Sequence, residues 1–182
     1  MTEARMSTDR RYMVLTAIGP DRPGLVQEIS RAIHESAANL EDSRMAILGG
    51  EFALILLYSG SPSAIDSVRE RVQTFESRLG LRVSLKDTTR ASAAVAFLPY
   101  RLRVSGVDRP GIVASVSKVL ASRTINVASL ESRVHHAPLS GTPMFLLNAE
   151  LQVPSEVALS SLRKDLAAAC DDENLDFSLE SG

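Results

Sequence analysis

The stretch Gly19-Pro20-Asp21-Arg22-Pro23-Gly24 decides how this chain is read, because its core returns as Asp108-Arg109-Pro110-Gly111. Each copy follows a short apolar run and opens an amphipathic one. That order marks a tight turn between a strand and a helix start. The two copies lie 87 residues apart, and so do Asn39 and Asn126. Equal spacing carried across a whole helix points to an internal duplication.

Outward from the first turn, Arg11 to Ile18 is a β-rich run. From Pro23 to about Ala37, Leu25, Val26, Ile29, Ala32 and Ile33 recur at helical spacing. Gly49-Gly50 separates the apolar runs Leu40–Leu48 and Glu51–Ser59, which predicts a type I′ hairpin. Ser61-Pro62 opens a second helix bearing Ile65, Val68, Val72, Phe75 and Leu79, and Gly80 ends it. Leu81, Val83 and Leu85 alternate with polar residues as in a half-buried strand. The order is βαββαβ, the ferredoxin-like arrangement of the α+β class: an antiparallel sheet with helices on one face.

The pattern then repeats. Tyr100–Val107 reads as a strand, and Ile112, Val113, Val116, Val119 and Leu120 as a helix stripe. Val127–Val134 and Met144–Val153 read as strands around a longer loop, His135 to Pro143. Val157, Leu162, Leu166 and Cys170 mark the last helix, and Leu175–Leu179 the last strand. The expected organisation is a loose tail over 1–10, a first domain over 11–88, a linker over 89–98 and a second domain over 99–180. The two domains are expected side by side.

Composition excludes several function classes. Of 182 residues 45% are apolar, enough for packed cores, and 20 Lys plus Arg face 22 Asp plus Glu for a net charge of −2. The chain therefore lacks the basic footprint of direct nucleic-acid binding and a polybasic membrane patch. Aromatics at 4% with no Trp argue against an RNA-stacking sheet. A lone cysteine, Cys170, forms no internal disulfide or cysteine-based metal site, and fits a cytoplasmic setting. The polar stretch Met1 to Arg10 is not expected to be a secretory leader, and the longest apolar run, Phe52 to Tyr58, is too short to span a bilayer. His135 and His136 are neighbours in a loop-like stretch, and extended neighbours point apart, so metal ligation by the pair is not expected. His34 reads as a surface residue. No Ser-His-Asp or Cys-His set stands in motif context, so no enzyme activity and no cofactor are expected.

The turn offers a small ligand two things. Gly24 lets it approach the backbone, and the amides of Leu25 and Val26 at a helix N-terminus suit a carboxylate. Asp21 beside them suits an ammonium, and the two together describe a free α-amino acid. Asp before Pro-Gly is also an ordinary helix start, and duplication copies a structural turn equally well. Asn39 and Asn126 each stand 15 residues beyond the motif glycine, roughly 20 Å along a helix. A turn and its own Asn cannot then grip one small molecule. A pseudo-twofold arrangement would bring Asn126 to the Asp21 turn and Asn39 to the Asp108 turn. The alternative for either Asn is a left-handed residue ending its helix. Candidate binding residues are Asp21, Arg22, Pro23, Gly24, Leu25, Val26, Asn39 and Leu40, with Asp108, Pro110, Gly111, Ile112, Val113, Asn126 and Val127 in the second copy.

IGPDRPG at 18–24, NLEDSRM at 39–45 and LGGEFALILLYSGS at 48–61 carry a resemblance. The chain resembles tandem ACT-domain proteins, and among them the glycine cleavage system transcriptional repressor type. The resemblance spans roughly 11–180 and is weaker in the second half. It implies a small amino-acid-binding regulator, with glycine the first ligand and serine the next. It also implies action through contact with a DNA-binding activator rather than with DNA. The alternative is a detached ACT regulatory subunit of an amino-acid metabolic enzyme.

The sheet faces are expected to differ. Arg101, Arg103 and Ser105, with Asn148, Glu150 and Gln152, alternate with apolar residues, which predicts one wet face crossed by Arg–Glu pairs. In the first half Phe52 to Leu57 is apolar throughout. Its open face is expected to be a protein interface, with a partner or in a homodimer.

Overall fold

The computed structural model describes residues 10–89 and 97–182. The chain divides into two compact units, Met1–Ser92 and Ala93–Gly182. Most of the expected tail (1–9) and linker (90–96) lies outside the described residues.

Unit 1 runs β1 (Arg11–Pro20), α1 (Leu25–Glu35), β2 (Asn39–Leu48), β3 (Glu51–Gly60), α2 (Pro62–Leu79) and β4 (Arg82–Thr88). Its four strands lie in the order β2-β3-β1-β4, with every neighbouring pair antiparallel. Strand alternation divides the faces. Met13, Leu15 and Ala17 on β1 and Phe52, Leu54, Leu56 and Tyr58 on β3 are buried on one of them. The helix stripes Leu25, Ile29, Ala32, Ile33 and Ile65, Val68, Val72, Phe75, Leu79 join them in a single core. Each large side chain so buried contributes about 1.5–3 kcal/mol. Pro62 opens α2 behind Ser61, whose side chain accepts from the Ala64 amide, and Gly80 closes it at φ 68°. Gly49 and Gly50 both take positive φ, as the tight hairpin requires.

Unit 2 repeats the order: β5 (Phe97–Val107), α3 (Ile112–Ser122), β6 (Asn126–His136), β7 (Pro143–Pro154), α4 (Leu159–Glu173) and β8 (Leu175–Ser181). Its sheet order is β6-β7-β5-β8, again antiparallel throughout. Leu102, Val104, Leu147, Ala149 and Leu151 meet Ile112, Val116, Leu120, Leu162, Leu166 and Cys170 in a second core. Both units are thus ferredoxin-like βαββαβ folds.

Several details differ from the sequence reading. The first helix starts at Leu25, not Pro23, because Gly24 occupies the N-cap at φ 96°. Val26 and Val113 leave the helix stripes and are 50% and 37% exposed. Each is rotated by one residue from the buried Leu25 or Ile112. β5 begins at Phe97, three residues earlier than expected. His135 and His136 end strand β6 opposite Met144 and Pro143 rather than lying in a loop. Val157 precedes α4, its amide held by the Pro154 carbonyl in a turn.

Among the described residues of unit 1, one buried polar side-chain group stands without a hydrogen-bond partner. Tyr58 is fully buried and its hydroxyl makes no hydrogen bond. Burial pushes this phenol up to about 12, with Arg69 and Asp87 acting as smaller and opposing influences. Burial likewise raises the Cys170 thiol.

Candidate functional site

The two turns are built alike. β1 ends at Pro20 opposite Glu51, and the Asp21 amide donates to the Gly50 carbonyl at 2.9 Å. In unit 2 the Asp108 amide donates to the Pro143 carbonyl at 2.9 Å. Each turn is therefore tied to the hairpin beside it, although one hairpin is tight and the other long. Gly24 and Gly111 cap the helices at φ 96° and 104°. A side chain at either would meet no atom within 4 Å, so it is the backbone angle that demands glycine. The Gly24 and Gly111 carbonyls accept from Glu28 and Ser115, each at 2.9 Å.

This geometry changes the role of the aspartates. Neither α1 nor α3 has a side-chain cap, whereas Ser61 caps α2. Asp21 and Asp108 are thus not helix-starting caps. Their carboxylates make no hydrogen bond or ion pair among the described residues, and Arg22 and Arg109 make none either. The first-turn amides, those of Leu25 and Val26 or of Ile112 and Val113, have no acceptor within their own helix. Leu25 and Ile112 bury their side chains in the cores, so each offers a ligand only its backbone. Val26 and Val113 stand exposed beside those amides and form an apolar flank.

Asn39 and Asn126 open β2 and β6. The left-handed positions after the helices belong to Ala37 and Thr124, at φ 55° and 56°, and not to the asparagines. Asn39 Nδ2 donates to Glu41 Oε1 at 3.0 Å, and Asn126 Nδ2 donates to Gln152 Oε1 at 2.7 Å. Their carboxamide oxygens have no partner among the described residues. Leu40 is 40% exposed and Val127 packs partly against its core. Within unit 1 the 11-residue helix α1 separates the turn from Asn39 by about 16 Å. The structure thus brings Asp21, Arg22, Pro23, Gly24 and the Leu25 and Val26 amides together, and leaves Asn39 and Leu40 at the helix's far end.

Sequence reasoning missed the β-bulge beside each asparagine. The register slips between Leu40 and Asp42 and again between Val127 and Ser129. The extra residues, Glu41 and Ala128, are 87 apart like the turns. Glu41 accepts from Asn39, from Ser59 Oγ at 2.5 Å and from Arg10 Nη2 at 2.9 Å. Ala128 cannot do this, so Gln152 takes over as the anchor of Asn126. A bulge shows no local sequence signature; the repeat spacing was the only available signal. Among the described residues no group of three His, Cys, Asp or Glu side chains could hold a metal.

Comparison with known proteins agrees with this architecture. The ACT domain family matches twice, over residues 11–86 and 100–166. The glycine cleavage system transcriptional repressor of Escherichia coli K12 is 28% identical over 172 residues, covering 94% of this chain and 90% of that protein. A solved structure of an unknown protein from Galdieria sulphuraria has a TM-score of 0.79 at 28% identity, covering 96% of this chain and 99% of its own. A second, provisionally described as a glycine cleavage system transcriptional repressor, has a TM-score of 0.72 at 29% identity, with 94% and 96% covered. With two ferredoxin-like units, two matching turns and two matches along its length, the chain belongs to the ACT-domain family and carries two ACT domains in tandem.

Proposed function

We propose that this protein is a non-enzymatic sensor of a small amino acid, glycine or serine, that regulates transcription by contacting a DNA-binding activator rather than DNA. The observation that carries the ligand reading is the repeated uncapped turn. A carboxylate with no partner among the described residues and helix-terminal amides with no acceptor in their own helix belong to the same turn, twice, in one chain. The amides of Leu25 and Val26 would receive the ligand carboxylate and Asp21 its ammonium, with Ile112, Val113 and Asp108 doing the same in unit 2. Asn39 and Asn126, with free carboxamide oxygens, would add acceptors for the ammonium. The regulatory reading is supported by the near full-length likeness to a transcriptional repressor and by a net charge of −2, which lacks the basic excess common in direct DNA binders.

Calorimetric titration of the full chain with glycine, serine and larger amino acids tests the ligand. Glycine or serine is expected to bind, and Asp21→Ala or Asp108→Ala to weaken binding about tenfold or more at its own turn with little change in melting temperature. No heat with any amino acid, or binding indifferent to both substitutions, overturns the reading. Double-mutant cycles pairing Asp21 with Asn39 and with Asn126 decide which asparagine serves that turn. A pull-down distinguishes the partner: a DNA-binding activator supports the proposal, and an amino-acid metabolic enzyme replaces it with the detached-subunit reading.

A further inference from the structure

The open face of unit 1 is apolar along its middle and charged at its edges. Strand register places Asp42, Leu57, Val14 and Lys86 in one row across the four strands. The next row on that face is Arg44, Ile55, Thr16 and Ser84, and the third is Ala46, Ala53, Ile18 and Arg82. Ile55 and Ile18 are each 49% exposed, and Val14, Ala53 and Leu57 are half-buried. Both helices pack against the opposite face, with Met13, Leu15 and Leu56. Contiguous apolar surface of this kind marks a contact region.

We propose that this face joins two copies of the chain in a homodimer, sheet against sheet, about a twofold axis running along the strands. Charge selects that axis. It exchanges β2 with β4 and keeps each row in register, so Asp42 of one copy faces Lys86 of the other, twice per dimer. Lys86 has no partner among the described residues, and Asp42 uses Oδ1 on Arg44 and the Ser43 amide, leaving Oδ2 free. The other in-plane twofold, laid across the strands through the central Arg44 row, would set Arg44 against Arg44 and Lys86 against Arg82, all like charges.

Size is sufficient. Three strands of ten residues and one of seven, about 4.8 Å apart and at about 3.4 Å a residue, give a footprint of about 600 Å² a side. The pair buries about 1,200 Å², at the lower end of the range of specific interfaces. Face-to-face sheets keep their strands within about 30° and about 10 Å apart, which a lysine at the rim can bridge. The rim pairs would set register, and the Val14, Ile18, Ile55 and Leu57 stripe would supply most of the affinity. The same face of unit 2 carries Arg101, Glu150 and Arg103 in its middle and offers no such stripe.

Analytical ultracentrifugation of the full chain over a concentration series tests this. A dimer is expected, and Ile55→Lys, on an already exposed side chain, should give a folded monomer by circular dichroism. Asp42→Lys and Lys86→Asp should each weaken association about tenfold, and the combined variant should return to within about threefold of the original. Arg103→Ala should change nothing. A monomer at every concentration, or a dimer indifferent to Ile55→Lys, overturns the proposal. Failure of the combined variant to recover overturns the strand-parallel axis. None of these outcomes depends on amino-acid binding.

Discussion

Val14, Thr16 and Ile18 line the open face of β1, where Arg101, Arg103 and Ser105 stand at the matching positions of β5. Behind them the buried positions stay apolar, with Met13, Leu15 and Ala17 in one unit and Tyr100, Leu102 and Val104 in the other. The contrast teaches which half of the alternation the fold enforces. A core position accepts only apolar side chains that fill its volume. A residue on the free face answers only to what covers it, solvent or another protein. The register does set Arg101 opposite Glu150 and Glu180, yet no ion pair closes there. The wet face is therefore polar without Arg–Glu ion pairs, and Asn126 and Gln152 bond across its strands instead.

The likeness of the units should break first at a matched pair of glycines. A Cβ on Gly19 would stand 2.6 Å from the Gly80 carbonyl oxygen, which is backbone. A Cβ on Gly106 would meet the Leu175 Cδ2 at 2.6 Å, a side-chain end that can turn aside. Gly19→Ala is expected to cost about 2–3 kcal/mol and Gly106→Ala about 1 kcal/mol, read as urea midpoints. Equal costs would mean that the Gly80 backbone at the end of α2 yields as readily as a side chain.

A second difference is chemical. Tyr58 in unit 1 matches Leu151 in unit 2, each opposite the β1 or β5 residue at the base of its sheet. The folded state holds the phenol proton to about pH 12, while the unfolded chain releases it near 10. Stability is therefore full below pH 10 and falls as pH rises toward 12, by on the order of 2 kcal/mol. Tyr58→Phe should abolish that slope. It should also match or exceed the original stability at pH 7, because the hydroxyl it removes is buried without a partner. Denaturation series for the two proteins at pH 8 to 11 measure the difference.

The smallest contrast lies between the helices. Arg123, at the end of α3, donates through Nε to Asp165 on α4 at 2.8 Å and through Nη2 to Ser161 at 2.6 Å. Its side chain is 22% exposed. Arg71 and Glu35 join α2 to α1 at 2.7 Å with 42% and 46% of their side chains exposed. Arg123→Ala is expected to cost about 1 kcal/mol and Arg71→Ala under about 0.5 kcal/mol, by thermal melting at low and high salt.

Much of this was legible in advance, and the particular residues show why. Helical spacing of Ile65, Val68, Val72, Phe75 and Leu79, bracketed by Ser61-Pro62 and Gly80, names both ends and the buried face of α2. Gly49-Gly50 names its hairpin. These signals are local, so a window of sequence contains their cause. The repeated Asp-Arg-Pro-Gly was legible as a turn, but its internal division was not. Pro23 is as good a first helical residue as any, and only the path from Pro20 around to α1 places Gly24 at the cap with φ 96°. Val157 looked helical for the same reason that Val26 looked buried: periodicity reports an apolar residue without reporting the neighbour that covers it.

The sequence by itself determined two βαββαβ units, their cores and the duplicated turns, because alternation, helical spacing and glycine punctuation act over a few residues. Tertiary structure alone decided that Asp21 and Asp108 are not helix caps and that a bulge at Glu41 and Ala128 sits beside each asparagine. It alone aligned Asp42, Leu57, Val14 and Lys86 in one row. Those facts depend on strand register and on where one element meets another, and pairings between residues far apart in the chain leave no mark on either partner's neighbours.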